Sequence, residues 1–442
     1  MPDAEPLDTH QKALSINLDA RIFGSFAEIG AGQEVARWFL QVGGASGTVA
    51  KTISAYDKEV SDDLYGPGTR YVSRPRLQSM LEHEWTQLLS QLNATRGAKT
   101  RFFSFVDTVS ARNFAGDNEW HGWIGLRFQM QPFGPPSDVI LHINLRDNSN
   151  LAQQDAVGIL GVNLIYASVH NLSSAADFLA QIASDLPLSR VEIDSVALKG
   201  PAFDHWDPRA VHATLVANQH AEAVVFPVDG DLVPCTDLLY KKAIVIAPAA
   251  YNLTERLNGQ MLEAALASLP KQDLEQSKGS IGFFSFRVAA AANNQSTDLT
   301  VPQIVERVDA LQKLGSGVLV FRERQIYKLA AFVNRFTKSR IHVAAEIPVL
   351  MRALQDDYGD LPGGLLEGIA QLFRENVRLS VFPTPVSGMK EGLAAAVLAG
   401  WKWKDVNGFV GARDIDPPEP MNHLYRYLIG SHFILPMDLP AK

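Results

Sequence analysis

Two rhythms of apolar residues alternate along the chain, one of period two or continuous and one of three to four, and together they predict an α/β protein. The first strong unit spans residues 21–57. An apolar run at 22–29 reads as a strand and meets Gly30-Ala31-Gly32-Gln33. A helix follows over 34–42, with Val35, Trp38, Phe39 and Val42 on one stripe. Gly43-Gly44-Ala45-Ser46-Gly47 stops it, and a β-rich segment at 48–56 ends at Asp57. Strand, glycine loop, helix, strand and terminal acid is the order of a parallel βαβ unit.

Ser73-Arg74-Pro75 has the cap and first-turn proline of a helix carrying Leu77, Leu81, Trp85, Leu88 and Leu92. Strands are predicted at 101–110, 123–129 and 139–145, helices at 151–170 and 175–186, and further strands at 191–198, 223–227 and 242–247. The polar stretch 270–279 is the expected domain boundary. Beyond it strands at 281–288, 317–321, 341–345 and 377–382 alternate with helices at 301–314, 326–336 and 365–373. The expected fold is therefore Rossmann-like: parallel or mixed sheets covered by helices, in two domains (1–275 and 276–413) with a C-terminal arm at 414–442. Phe102-Phe103-Ser104-Phe105 and Phe283-Phe284-Ser285-Phe286 repeat a tetrapeptide, which is weak evidence for duplication.

Composition narrows the function. At 442 residues, 46% hydrophobic and 20% charged, the chain is globular and long enough for two cores. Forty basic against 48 acidic residues give a net charge of −8, which argues against nucleic acid as partner. Arg322, Arg324, Lys328, Arg335, Lys338 and Arg340 fall at helical spacing and read as a solvated face. The single cysteine, Cys235, excludes an intrachain disulfide and any multi-cysteine metal site, and it reads as a buried thiol. An acidic start without an apolar core, and no apolar run long enough to span a bilayer, lead us to expect a cytoplasmic protein with no membrane partner.

The sharpest candidate for chemistry is Glu28-Ile29-Gly30-Ala31-Gly32 at a strand end, where glycine lets backbone approach a ligand and a helix start presents free N–H groups. Glu28 would accept from a ribose or amino group, Gln33 lies in the loop, and Asp57 would bind a ribose hydroxyl pair. The segment resembles the first motif of S-adenosylmethionine-dependent methyltransferases, which implies an adenosine-type nucleotide or S-adenosylmethionine as ligand. It departs from that motif at Glu34, where a third glycine is expected. The alternative is a tight turn followed by a helix whose Glu34 favours its own dipole.

A second candidate is Asp107 with the polar loop from Arg112 to His121. A carboxylate on an apolar strand face is costly unless paired. Arg112 or His121 would be its partner, and His121 would serve as a general base. The structural alternative has Asp107 bonding loop backbone and His121 capping a strand. Other signatures are missing: residues 45–52 enter a strand and do not leave one as a P-loop does, His83-Glu84 lacks the second zincin histidine, and no Gly-x-Ser-x-Gly elbow occurs. Asp204-His205-Trp206-Asp207 before Pro208 reads as a turn, and Asp229-Gly230 as a hairpin.

Residues 26–39, Ser54-Ala55-Tyr56-Asp57, residues 107–113 and Gly161-Val162-Asn163-Leu164-Ile165-Tyr166 are together similar to a family of uncharacterised bacterial proteins over most of the chain. Its members carry the automatic labels TonB-dependent receptor and nicotinamide-nucleotide adenylyltransferase. The first implies a β-barrel with a signal peptide, and the second a His-x-Gly-His phosphate site; neither pattern stands in this sequence. Two functions follow from the residues. One is a small-molecule enzyme or sensor, a transferase among the options, binding its nucleotide at Gly30–Gln33 with Asp107, Arg112 and His121 nearby. The other is a non-enzymatic protein whose function is self-assembly, forming homo-oligomers through its aromatic arm, or partner binding.

Overall fold

Strand β1 (Ile22–Gly30) is buried along almost its whole length. It lies second in a six-stranded sheet whose two faces are both covered by helices, which is why its sequence is a continuous apolar run. The computed structural model describes residues 7–115, 118–249, 255–288, 299–323, 325–355, 358–374, 376–390 and 398–438. The chain forms two compact units, the first running to Val224 and the second from Val225.

In the first unit α1 (Thr9–Asn17) precedes β1, and α2 (Val35–Gln41) connects it to β2 (Val49–Ile53). Helices α3 (Lys58–Tyr65) and α4 (Arg74–Arg96) lead to β3 (Arg101–Ser110), β4 (His121–Gln129) and β5 (Pro136–Leu145). Then come α5 (Asn150–His170), α6 (Ala175–Ile182), β6 (Val191–Lys199) and α7 (Pro208–Ala217). The sheet order is β2-β1-β3-β4-β5-β6. β1 is parallel to β2 and β3, and each pairing from β3 to β6 is antiparallel. The carboxyl ends of β1, β2, β3 and β5 therefore share one edge with the amino ends of β4 and β6. The βαβ unit read from residues 21–57 is present as β1-α2-β2.

Helix α4 begins where Ser73 accepts from the Arg76 N–H, with Pro75 in the first turn. Its buried stripe of Leu77, Met80 and Leu81 packs on Ala27, Val106, Trp123 and Ile140. The opposite sheet face, with Phe26 and Phe105, meets α2 and α5. β6 holds one residue more than β5 needs. His142 pairs with Ser195 and Ile143 with Ile193, so Asp194 is the extra residue of a bulge.

In the second unit β7 (Ala223–Phe226), α8 (Cys235–Leu239), β8 (Ala243–Pro248), α9 (Glu255–Ala267), α10 (Lys271–Glu275) and β9 (Ser280–Arg287) follow in order. Next come α11 (Val301–Gln312), β10 (Gly317–Phe321), α12 (Ile326–Val333), β11 (Ile341–Glu346), α13 (Ile347–Gln355), α14 (Gly364–Leu372) and β12 (Val377–Phe382). Two short ribbons pair β13 (Thr384–Pro385) with β15 (Phe409–Val410), and β14 (Lys402–Trp403) with β16 (Ile415–Asp416). Helix α15 (Met421–Gly430) and β17 (Ile434–Pro436) end the fold. The seven-stranded sheet runs β17-β12-β11-β8-β9-β10-β7.

Several expectations change here. The polar stretch at 270–279 forms α10 and its flanks between β8 and β9 of one sheet, so the 275/276 boundary lies inside the second unit. The arm from Asp414 supplies β17, which extends that sheet in parallel beside β12. Asp229-Gly230 makes no hairpin, because β7 and β8 are not neighbours and α8 stands between them in sequence. Pro208 opens α7 after the Asp207 cap. The basic residues of the second unit are partly neutralised, with Lys328 bound to Glu323 and Asp360 and Arg340 to Asp273; Arg324 lies outside the described residues.

Candidate functional site

The glycine turn at the end of β1 is built around two buried carboxyls. Gly30 has φ +81°, and a Cβ there would stand 2.2 Å from the Val109 carbonyl oxygen. Glu28 and Asp107 are register partners on neighbouring strands, 2% and 0% exposed. Both Glu28 oxygens are occupied, Oε1 by the Val35 N–H at 2.8 Å and Oε2 by the Ala36 N–H at 3.2 Å. Glu28 thus caps α2 from the adjacent strand and is not open to a ribose.

Asp107 accepts from the Ile29 N–H at 3.3 Å through Oδ1, and its Oδ2 has no hydrogen-bond partner among the described residues. Burial, then the neighbouring Glu28 charge, drives its pKa well above the carboxylate range. Burial also pushes Glu28 up to about 7, against the two backbone N–H groups that favour its charge. Each carboxyl disfavours ionisation of the other, and the two backbone N–H groups on Glu28 favour the charge there over Asp107. Gly32 rests directly on that carboxyl, since a Cβ there would lie 2.0 Å from Oδ1.

The other nucleotide candidates stand apart from this pair. Gln33 is exposed and donates to Ser54 Oγ at 2.7 Å. β2 ends at Ile53, and Asp57 instead caps α3, accepting from the Glu59 and Val60 N–H groups. Arg112 reaches neither carboxyl. Its backbone N–H donates to Gln153, its guanidinium to the Asn148 carbonyl, and it lies 5.4 Å from the Trp120 ring centre. Gly116 and Asp117 of the same loop lie outside the described residues.

His121 is also separated from Asp107. Ser110 is the register partner of His121, whereas Asp107 pairs with Ile124. Alternate strand residues point to opposite faces, so Asp107 faces α5 and His121 the α4 side. The trio Asp107, Arg112 and His121 is not assembled.

His121 has other partners. Its Nδ1 lies 3.1 Å from Nε2 of His142, whose Nδ1 lies 2.6 Å from Oδ1 of Asp194. Asp194 Oδ2 accepts from Asn144 at 3.1 Å. Asn144 also donates to Glu192, which accepts from Arg146 at 2.6 Å and from the Glu222 N–H. His142 and Asp194 are 2% and 3% exposed, and Trp123, 4.8 Å away ring to ring, covers the imidazole. The bulge in β6 carries the Asp194 carboxylate to the His142 side.

The polarity of this chain follows from its ends. A carboxylate only accepts, so His142 Nδ1 carries a proton and its Nε2 accepts one from His121 Nδ1–H. That leaves Nε2 of His121 as the basic nitrogen, with no hydrogen-bond partner among the described residues. Burial, then the His142 and Arg70 charges, holds the His121 pKa down at about 4, so its ring is neutral at pH 7. A proton taken at Nε2 would release the Nδ1 proton to His142, whose cation Asp194 stabilises. The exposed Arg70 contributes positive field at His121. Among the described residues no group of three His, Cys, Asp or Glu is placed to hold a metal ion. No described helix is long and apolar enough to cross a membrane.

His142, Asn144, Glu192 and Asp194 were not singled out from the sequence. The signal was there: His-x-Asn in one predicted strand and Glu-x-Asp in the next put polar groups at every second position of otherwise apolar runs.

No protein-family model matches the chain, and no curated protein does. Among solved structures, the competence/damage-inducible protein CihA of Agrobacterium tumefaciens aligns over 37% of this chain and 96% of its own, at 19% identity and TM-score 0.27. The competence damage-inducible protein A of Klebsiella pneumoniae aligns over 37% and 95%, at 11% identity and TM-score 0.27. A competence-damaged protein (CinA) superfamily member of Escherichia coli aligns over 41% and 95%, at 14% identity and TM-score 0.25. The likeness is distant in all three.

Proposed function

We propose that this chain is a cytoplasmic small-molecule enzyme that withdraws a proton from its substrate through His121, with His142 and Asp194 as the relay behind it. The observation that carries this reading is the run of two short contacts, 3.1 Å from His121 to His142 and 2.6 Å from His142 to Asp194, at one edge of the first sheet. Three ionisable groups in line, two of them almost fully buried, set a tautomer that a purely structural contact does not need. The reaction class is transfer of a group to a hydroxyl or to water, in which the attacking oxygen must lose a proton.

The ligand in this reading is an adenosine-type nucleotide or S-adenosylmethionine, held at Gly30–Gln33. The glycine turn and His121 lie at the same sheet edge, on β1 and β4, two strand spacings or about 10 Å apart along the backbone, with Gly32 over the α5 face and His121 on the α4 face, so a ligand would have to reach across that edge. Ligand contacts would come from the turn backbone, Gln33 and Ser54, because Glu28 and Asp57 serve as helix caps. The carboxyls beneath the turn favour a sulfonium over a pyrophosphate. In the assembly reading the contact would be made by the arm's exposed aromatic face, with Tyr427 on it, while β17 extends the chain's own sheet.

A thermal-shift series with adenosine nucleotides and S-adenosylmethionine tests the reading. A ligand at a hundredfold over its Kd adds about 2.7 kcal/mol. The His121→Gln variant should keep that shift while turnover of the same ligand falls by about 10²–10⁴-fold. Unchanged turnover in His121→Gln, or no shift with any of these ligands, would overturn it.

A further inference from the structure

The second sheet carries a site of its own. Six of its strands stand in the order β10-β9-β8-β11-β12-β17, and every adjacent pair among them is parallel. Counted from β8, this is the doubly wound order 3-2-1-4-5-6. The chain moves outward from β8 through β9 to β10, then returns to the other side of β8 as β11. In open sheets of this kind ligands bind outside the carboxyl ends of the two strands where the direction reverses.

Glu346 is the last residue of β11 at that point. The register Ile341–Ile244, His342–Val245 and Val343–Ile246, continued, sets it opposite Ala249, just past the end of β8. It is 8% exposed, and its carboxyl makes no hydrogen bond or ion pair with any described residue. Three neighbouring polar groups of the described backbone are already used. The Ile347 N–H donates to Thr384 Oγ1, the Ala249 N–H to the Ser285 carbonyl, and the Ala249 carbonyl accepts from Arg307. A buried carboxyl without a partner is unfavourable, and one at a strand end of this topology has an evident use. Burial alone pushes its pKa up to about 7.

We propose that the β8/β11 switch point is a second ligand site, which takes a nucleoside through its ribose hydroxyl pair on the Glu346 carboxylate. The acceptor character of the carboxylate selects hydroxyl donors and repels phosphate, and two oxygens match a vicinal diol. This site is independent of the one proposed for the first unit.

The test uses the full chain, adenosine and 2′,3′-dideoxyadenosine, and ¹³C-labelled glutamate. Adenosine should move the Glu346 carboxyl resonance and lower its titration midpoint by at least one pH unit. The dideoxy analogue should do neither, and Glu346→Gln should weaken adenosine binding at this site at least tenfold. That variant is isosteric, and an unchanged or raised Tm at pH 8 would show it folded. Adenosine that fails to bind, or that leaves Glu346 unmoved while perturbing only Gly30–Gln33, overturns this proposal and leaves the first-unit reading standing. Equal affinity for Glu346→Gln overturns it as well.

Discussion

Nδ1 of His142 and Oδ1 of Asp194 stand 2.6 Å apart, with both side chains 3% exposed. Such a contact between a ring nitrogen and a carboxylate is short and charge-assisted, and it fixes which nitrogen of His142 bears the proton. Because His142 in turn meets His121, the Asp194 carboxylate sets the tautomer of a residue two contacts away.

The tautomer is measurable without a substrate. In ¹⁵N spectra at pH 7, His121 should be neutral with its proton on Nδ1, and should protonate only near pH 4. Asp194→Asn should abolish the downfield Nδ1 proton of His142 and change the His121 tautomer ratio. A His121 midpoint near 6.5 would contradict the burial and charge argument. The sign for stability follows: this folded pKa lies below the ordinary 6.5, so the stabilising effect is present at neutral pH. It is lost as pH falls from about 6.5 to about 4.

Glu346 works in the opposite direction. Its folded pKa of about 7 exceeds the ordinary 4.5, so ionising it opposes the fold progressively as pH rises from 4.5 to 7. A difference of that size corresponds to about 3 kcal/mol. Glu346→Gln should therefore match the parent at pH 4 and exceed its stability at pH 8 by up to that amount in urea melts. Equal stabilities at pH 8 would show that the carboxyl is solvated.

Gly32 and Asp107 should be energetically coupled. Gly32→Ala drives a methyl into the Asp107 carboxyl and should destabilise by about 1–3 kcal/mol. In the Asp107→Ala background the same change should be nearly neutral. A double-mutant cycle in chemical denaturation reads the coupling, and additive effects would mean the turn relaxes elsewhere. Bulky probes at position 32, tryptophan included, disturb the fold and do not report on ligand binding.

Lys51 supports a further buried carboxyl. Its Nζ lies 2.7 Å from Oε2 of Glu84, which is 1% exposed and accepts from the Tyr65 hydroxyl at 3.0 Å. Lys51→Met strands that carboxylate and should destabilise the first unit by about 2–4 kcal/mol, toward the low end because the lysine is 37% exposed. Adding Glu84→Gln should recover much of the loss. A Lys51→Met protein as stable as its parent would show that the pair is solvated.

The strands and helices were legible because both sheets are covered on two faces and their apolar runs are long. β1, β3, β9 and β10 stand close to where the sequence puts them, as does the helix that Ser73 and Pro75 begin. Pairing was not legible. Nothing in Glu28 says that its partners are the N–H groups of Val35 and Ala36, and nothing in His121 says that it shares a face with His142 and not with Asp107. The first depends on the path of the turn into α2, seven and eight residues on, and the second on strand direction and register, which join residues 21 and 52 positions apart. The domain border was misplaced because 270–279 is polar, yet a polar loop inside a doubly wound sheet looks the same from sequence as a linker.

The bulge at Asp194 has a consequence for lineage. Without that one residue, Ile193 and Ser195 would become neighbours opposite Ile143 and His142, and β6 would pair as an unbroken strand. A deletion of a single codon would thus leave the apolar alternation and the core of the first unit in place. The product would be a folded chain whose His142 has lost its carboxylate. Descendants that lose this relay while keeping the architecture have, at this position, a one-step route.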